Sequence, residues 1–120
     1  MGKENIVKEK SYAFALKIIK TYKLLNFEQK EFVLSKQVLR SGTSIGALIK
    51  EAEHAQSKAD FINKMNIALK EANETEYWLM LLKDSDYIDT KNYITIYNDC
   101  SELIKLLASI VKTSKEKQIK

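Results

Sequence analysis

The sequence predicts an all-α domain, an antiparallel up-down-up-down bundle of four helices, and three observations support that prediction. There is no proline and there are only three glycines in 120 residues, whereas strand-rich folds need turn residues about every ten positions. The chain is 45% hydrophobic yet 30% charged, the balance that amphipathic helices with one wet face produce. Apolar residues recur at three- and four-residue spacing through four segments separated by short polar breaks. A chain of this length is one domain, 1–120, large enough to bury a continuous core without disulfides or metals.

The first segment, about 4–25, places Val7, Phe14, Ile18, Tyr22 and Leu25 on one stripe. Asn26, which tolerates the left-handed conformation, is expected to end it. The second, about 29–55, holds Val38, Leu39, Ile45 and Ile49 in register. Ser57-Lys58-Ala59-Asp60 reads as a capping box, with the serine receiving backbone donors and the aspartate reaching back. It opens the third helix, about 58–85, with Phe61, Met65, Ala68, Ala72, Leu79 and Leu82 in register. Asp86-Tyr87-Ile88-Asp89 interrupts the pattern, and Asp89 or Thr90 caps the fourth helix, about 90–116. There Tyr93, Tyr97, Cys100, Ile104, Leu107 and Val111 share a face flanked by Ile96, Leu103 and Ile110. That stripe is wider than a two-sided seam needs, so part of it is expected to bury against another subunit. At 1.5 Å per residue the helices are ~30–40 Å long, and connections this short make sequential neighbours antiparallel.

No apolar run approaches the ~20 residues of a membrane span, and the start of the chain leads into an amphipathic segment rather than a signal peptide. Its Met-Gly start lacks the Ser or Thr that myristoylation wants, since position 6 is Ile6. The single cysteine, Cys100, falls on an apolar face and reads as a small buried hydrophobe in a reducing compartment. The expected location is the cytoplasm.

The most informative stretch is Leu39-Arg40-Ser41-Gly42-Thr43-Ser44-Ile45-Gly46-Ala47. A phosphate cradle at a helix start would use such residues, but no strand precedes it and no Gly-Lys-Ser/Thr follows. Packing explains it better: Gly42 and Gly46, four apart on one face, let a neighbouring helix approach closely, at about 1 kcal/mol of helix propensity each.

These residues also support a resemblance. Leu39 to Ala47, then Ile49, Glu51-Ala52, Asp60-Phe61, Ile67-Ala68, Lys70-Glu71-Ala72, Glu74-Thr75 and Tyr77-Trp78-Leu79 closely resemble the four-helix bundle protein family. Its members include proteins encoded within intervening sequences of bacterial large-subunit ribosomal RNA genes. A more distant relative is the accessory variability protein of diversity-generating retroelements. The resemblance spans nearly the whole chain and departs at Leu48, where the family pattern usually has asparagine. It implies a four-helix bundle assembled as a homopentamer. From the retroelement relative it implies binding to a reverse transcriptase, or within a ribonucleoprotein, and to nucleic acid through a basic surface.

The charge distribution bears on that implication. The formal net charge is only +4, with a pI near 9.0. Residues 1–23 hold Lys3, Lys8, Lys10, Lys17, Lys20 and Lys23 against Glu4 and Glu9; residues 112–120 hold Lys112, Lys115, Lys117 and Lys120 against Glu116. In an up-down-up-down bundle these two ends share a pole, so the sequence predicts a basic pole that attracts RNA or DNA backbones, with Lys8, Lys10, Lys17, Lys112, Lys115 and Lys117 as its contacts. Aromatic residues are not interleaved with these lysines, which points to backbone-directed binding with little sequence preference. The opposite pole gathers Glu28, Glu31, Asp84, Asp86 and Asp89, only partly offset by Lys30, Lys83 and Lys91. Solvation of chain ends, and the preference of helix C-termini for cations, would place the same lysines without any ligand.

Catalysis is not expected. Glu51-Ala52-Glu53-His54 matches half of a di-iron bundle pattern, but that chemistry needs two such pairs and two further carboxylates, and His54 is the only histidine. Glu71 and Glu74 have the spacing of an acid/base pair; beside Arg40 they read better as a partly buried ion-pair network that sets helix register or a subunit interface. Trp78 reads as an interface or core anchor. Arg40, Gly42, Gly46, Glu71, Glu74 and Trp78 therefore form a structural motif, with no catalytic residue, metal or cofactor expected. The alternative function is a protein-interaction scaffold that does not bind nucleic acid.

Overall fold

The computed structural model describes residues 2–119, with side chains as far as Lys117; the expectation for Lys120 lies outside the described residues. Four helices and no strand form among them: α1 (Lys3–Phe27), α2 (Leu34–Glu53), α3 (Lys58–Asp84) and α4 (Thr90–Ile119). They make a rod of 51 × 22 × 21 Å. Each helix packs against two others, α1 on α2 and α4, and α3 on α2 and α4, while the diagonal pairs do not meet among the described residues. Cross-helix partners run in opposite order: on α1 and α2, Ser11 lies beside Gly46 and Ile18 beside Gly42, and Lys8 pairs with Glu53. The same holds for Ser41 with Thr75 and Glu51 with Lys64 on α2 and α3.

The predicted stripes line one continuous core of Val7, Phe14, Ile18, Leu25, Val38, Ile45, Met65, Leu79, Leu82, Leu103 and Leu107, among others. Tyr22 and Phe61 are only half-buried, and Ile62 takes the place expected of Phe61. The α3 cap forms as read, with a variation. The Ser57 hydroxyl accepts the Asp60 N–H at 3.0 Å, but the Asp60 carboxylate reaches one residue further back, to the N–H of Gln56. Asp89, not Thr90, caps α4, accepting the Asn92 N–H at 2.8 Å.

The α1–α2 connection departs most from expectation. Asn26 stays helical, with its side-chain amide donating to the Tyr22 carbonyl. The chain leaves α1 only after Phe27 and turns at Lys30, which takes a positive φ of 56°. α2 begins at Leu34 rather than 29 because Glu31 reaches forward over its first turn. One carboxylate oxygen accepts the N–H groups of Val33 (3.2 Å) and Leu34 (3.0 Å), the other that of Ser35 (2.7 Å). The Ser35 hydroxyl donates back to the Glu31 carbonyl at 2.9 Å. Three of the four orphan donors of a helix start are thus met by one side chain. Glu31, counted above among the charges of the acidic pole, is only 8% exposed.

The glycine reading holds with a division of labour. A Cβ on Gly42 would stand 2.8 Å from Ile18 Cγ1, inside van der Waals contact, so α1 seats on α2 because that hydrogen is all the space allows. At Gly46 the nearest atom is Ser11 Oγ at 3.4 Å, followed by the Ser11 carbonyl oxygen at 3.6 Å. Gly42 admits a side chain and Gly46 a backbone.

The wide apolar stripe of α4 is absorbed by its own chain. Among its large apolar residues on the described positions only Ile94 stays mostly exposed, because α4 seals both α1 and α3. Exposed apolar surface lies elsewhere: Tyr12, Leu16 and Ile19 on α1, Phe27, Phe32 and Val33 around the first connection, and Tyr77 and Met80 on α3.

Candidate nucleic-acid interface

The start of α1 meets the later turns of α4, with the Lys3 ammonium donating to Ser109 Oγ. The two lysine-rich segments therefore lie close, but their charges differ in availability. Lys8 is bound to Glu53 of α2 at 2.9 Å, and this hydrogen bond, with burial opposing it, holds the Glu53 carboxyl below its ordinary pKa. Lys10 pairs with Glu102 of α4 at 3.1 Å, and Lys17 pairs with Asp99 of α4. These three are half-exposed rivets between helices, largely screened by solvent at such exposure. Their charge is compensated before any ligand arrives.

Lys112, Lys115 and Lys117 are exposed and enter no ion pair among the described residues. Of the six lysines assigned to the pole, the structure leaves these three open. Charge counting could not find the difference, since it depends on carboxylates from α2 and α4 that lie 45, 92 and 82 positions away. Lys105 was missed. It too is exposed and unpaired, seven positions before Lys112 on the same outer face of α4; that heptad spacing was the available signal.

The α2–α3 motif comes together as read. The Arg40 guanidinium spans two carboxylates one helical turn apart, donating to Glu71 at 3.1 Å and to Glu74. The Trp78 indole N–H donates to the same Glu74 oxygen at 3.1 Å. Behind them, the Thr75 hydroxyl donates to the Glu71 carbonyl (2.8 Å), and its oxygen stands 2.9 Å from Ser41 Oγ in the buried seam. Burial alone would lower the Arg40 pKa, but the two carboxylates outweigh it and raise it. The burial is partial, as expected, and uneven: the Glu71 side chain is 16% exposed and Arg40 52%. In a lone chain the network is a screened surface bridge, so Arg40→Ala should cost about 1 kcal/mol or less. A loss of several kcal/mol in thermal unfolding, with a fall in mass by light scattering, would mean that a second chain covers it.

Elsewhere the chemistry is quiet. Glu51 pairs with Lys64 on the outside, and His54 is exposed at the end of α2. Among the described residues no group of three or more His, Cys, Asp and Glu is placed to hold a metal. Burial, with help from Glu76 and Asp99, pushes the Cys100 thiol up to about 12, and its S–H donates to the Ala72 carbonyl. Such a thiol is inert as a nucleophile. No helix among the described residues is long and apolar enough to cross a membrane.

Comparison with known proteins fits this architecture. The family model described as 23S rRNA-intervening sequence protein matches residues 3–109, all of α1–α3 and most of α4. The chain belongs to that family. A solved structure, a protein of unknown function from the S23 ribosomal protein family of Bacteroides thetaiotaomicron, is 65% identical. It superimposes with a TM-score of 0.90 over 92% of this chain and 98% of that one. Among curated proteins none matches. For this 23S rRNA-intervening sequence family member, the comparisons thus agree with the resemblance drawn from the Leu39–Ala47 and Lys70–Leu79 segments.

Proposed function

We propose that this chain is a non-catalytic, cytoplasmic bundle of up-down-up-down order that assembles as a homopentamer and binds RNA or DNA backbones through a basic pole. The observation that supports binding most directly is the set of Lys112, Lys115 and Lys117, exposed and unpaired in the last turns of α4. A net-positive cluster of this kind, three lysines against Glu116, releases counterions from a polyanion, and repetition around a ring would multiply it. The opposite ordering of cross-helix partners supports the topology. Assembly is supported by two apolar faces: Tyr12, Leu16 and Ile19 on α1, and Tyr77 with Met80 on α3. Two different patches on one chain suit a head-to-tail contact, which closes into rings. A reverse transcriptase or a ribonucleoprotein is the partner class this reading favours.

A pure scaffold is the second reading, favoured by Phe27 and Val33, which are 73% and 71% exposed around the α1–α2 connection. The test is binding of the full chain to labelled RNA and DNA across a salt series, with oligomer mass on the same sample. The expected result is an affinity falling steeply with salt, and a shallower log–log slope in Lys112→Gln/Lys115→Gln/Lys117→Gln, by roughly 0.7–0.9 per lost contact. An intact oligomer that binds nothing at low salt leaves the scaffold.

A further inference from the structure

Beyond the pole, the outer surfaces of α3 and α4 set exposed lysines and amides at regular helical spacing. Between Asp60 and Tyr77, short of the apolar pair assigned above to assembly, every exposed residue of α3 is uncharged or basic: Asn63, Asn66, Lys70 and Asn73. The carboxylates of that helix are turned aside. Glu71 and Glu74 are held by Arg40, and Glu76 is half-buried within electrostatic reach of Tyr93 and Cys100.

On α4, Lys91, Asn98, Lys105 and Lys112 recur every seven residues, all exposed. Positions seven apart differ by only ~20° around an α-helix, so the four form one row about 30 Å long at 1.5 Å per residue. None of the three lysines enters an ion pair among the described residues, nor does Lys70. The acids near the row lie to one side or at its ends: Asp99 and Glu102 are taken by Lys17 and Lys10, Glu116 stands beyond Lys112, and at the Lys91 end Asp84 pairs with Lys83 and Asp89 caps the Asn92 N–H, with Asp86 exposed beside them.

We infer that the nucleic-acid path does not stop at the pole but runs down this face, with Lys70, Lys91 and Lys105 contacting phosphates spaced along it and the asparagines meeting phosphate and sugar oxygens. This rests on the nucleic-acid reading and extends it from an end cap to a track along the bundle. Lysine ammoniums neutralise phosphates, and amide groups both donate to and accept from the backbone without reading sequence. Compensated lysines cannot serve in this way without first breaking an interhelical pair. The row's length predicts a site covering about one turn of duplex, or a single strand of comparable length, rather than a point contact.

The experiment compares three full-length proteins against a labelled single-stranded RNA and a duplex DNA of the same length: wild type, Lys70→Gln/Lys91→Gln/Lys105→Gln, and the charge-matched Lys23→Gln/Lys36→Gln/Lys50→Gln on α1 and α2. Wild type is expected to bind. The first variant should bind at least about tenfold more weakly at low salt, with a log–log slope shallower by about 2–3. The second should match wild type, and Lys70→Arg/Lys91→Arg/Lys105→Arg should restore both affinity and slope. All variants should melt with wild type, since these side chains are exposed and unpaired. If wild type binds, and only the Lys112/Lys115/Lys117 substitutions weaken it, the track is wrong and the polar site stands. Absence of binding by wild type overturns both.

Discussion

Glu31→Ala is expected to destabilise the bundle by about 2–3 kcal/mol, lowering the melting temperature by roughly 10 °C or more. An ordinary N-cap side chain satisfies one or two backbone donors at a partly wet helix start. Glu31 satisfies three, at 2.7, 3.0 and 3.2 Å, from a position only 8% exposed. Truncation leaves the N–H groups of Val33, Leu34 and Ser35 without this acceptor; water can replace it at the exposed Val33, but not at Ser35, which is fully buried. It also removes a negative charge from the positive end of the α2 dipole. Glu31→Gln keeps the shape and part of the acceptor capacity, so it should fall between alanine and wild type.

Acid unfolding provides an independent reading of the same contact. Burial alone would raise the Glu31 pKa, but the N–H donors of Ser35, Leu34 and Val33 and the Ser35 hydroxyl together outweigh it, and the net shift is downward. A carboxylate whose pKa is lower folded than unfolded binds fewer protons in the native state. Its contribution is therefore whole above the unfolded glutamate pKa and lost as pH falls through the depressed native one. Wild type should thus lose stability on acidification below the ordinary glutamate range, and Glu31→Gln should lose less over that interval. Melting of Glu31→Ala within a degree or two of wild type would show that water replaces the carboxylate.

The second large effect is expected at Gly42. Its missing side chain is the space that Ile18 occupies, and Ile18 is fully buried and branched at Cβ, with no exit toward solvent. Replacing a helical glycine gains up to about 1 kcal/mol of propensity. Overpacking a well-filled seam costs about 1–3 kcal/mol, occasionally more. For Gly42→Ala the terms nearly offset, with the balance toward loss, because the added Cβ meets Cγ1 at 2.8 Å. For Gly42→Leu steric cost dominates, and destabilisation of about 3 kcal/mol or more in denaturant unfolding is expected. Ile18→Ala in the same chain should recover part of it by opening the facing volume. Gly46→Ala is the built-in contrast, since 3.4 Å to Ser11 Oγ leaves nearly enough room. Near-neutral behaviour at both glycines would mean that α1 slides on α2 instead of seating.

These two sites differ in how far they could be read in advance. The Gly42–Gly46 spacing is legible in sequence, because two residues four apart share a helical face and lack side chains. What it does not contain is which face they close or how tightly: Gly42 against a branched side chain and Gly46 against Ser11 are outcomes of docking α1. Glu31 was misread because a carboxylate near a helix start has two ordinary fates, solvated charge or cap. The choice depends on a turn at Lys30 that sequence pattern does not announce. Arg40, Glu71 and Glu74 were legible as a partly buried network through complementary charge on neighbouring helices, but not that Arg40 would be the exposed member and Glu71 the buried one.

By itself the sequence determined the helical class, the four segments, most of the core and the family, since these follow from local periodicity, capping chemistry and residue patterns that do not need a partner helix. Tertiary structure alone decided which lysines are free, where apolar surface remains and which carboxylate is buried. Each of those depends on what a second helix places beside the side chain, and charges are compensated in space, across tens of residues of chain, rather than along it.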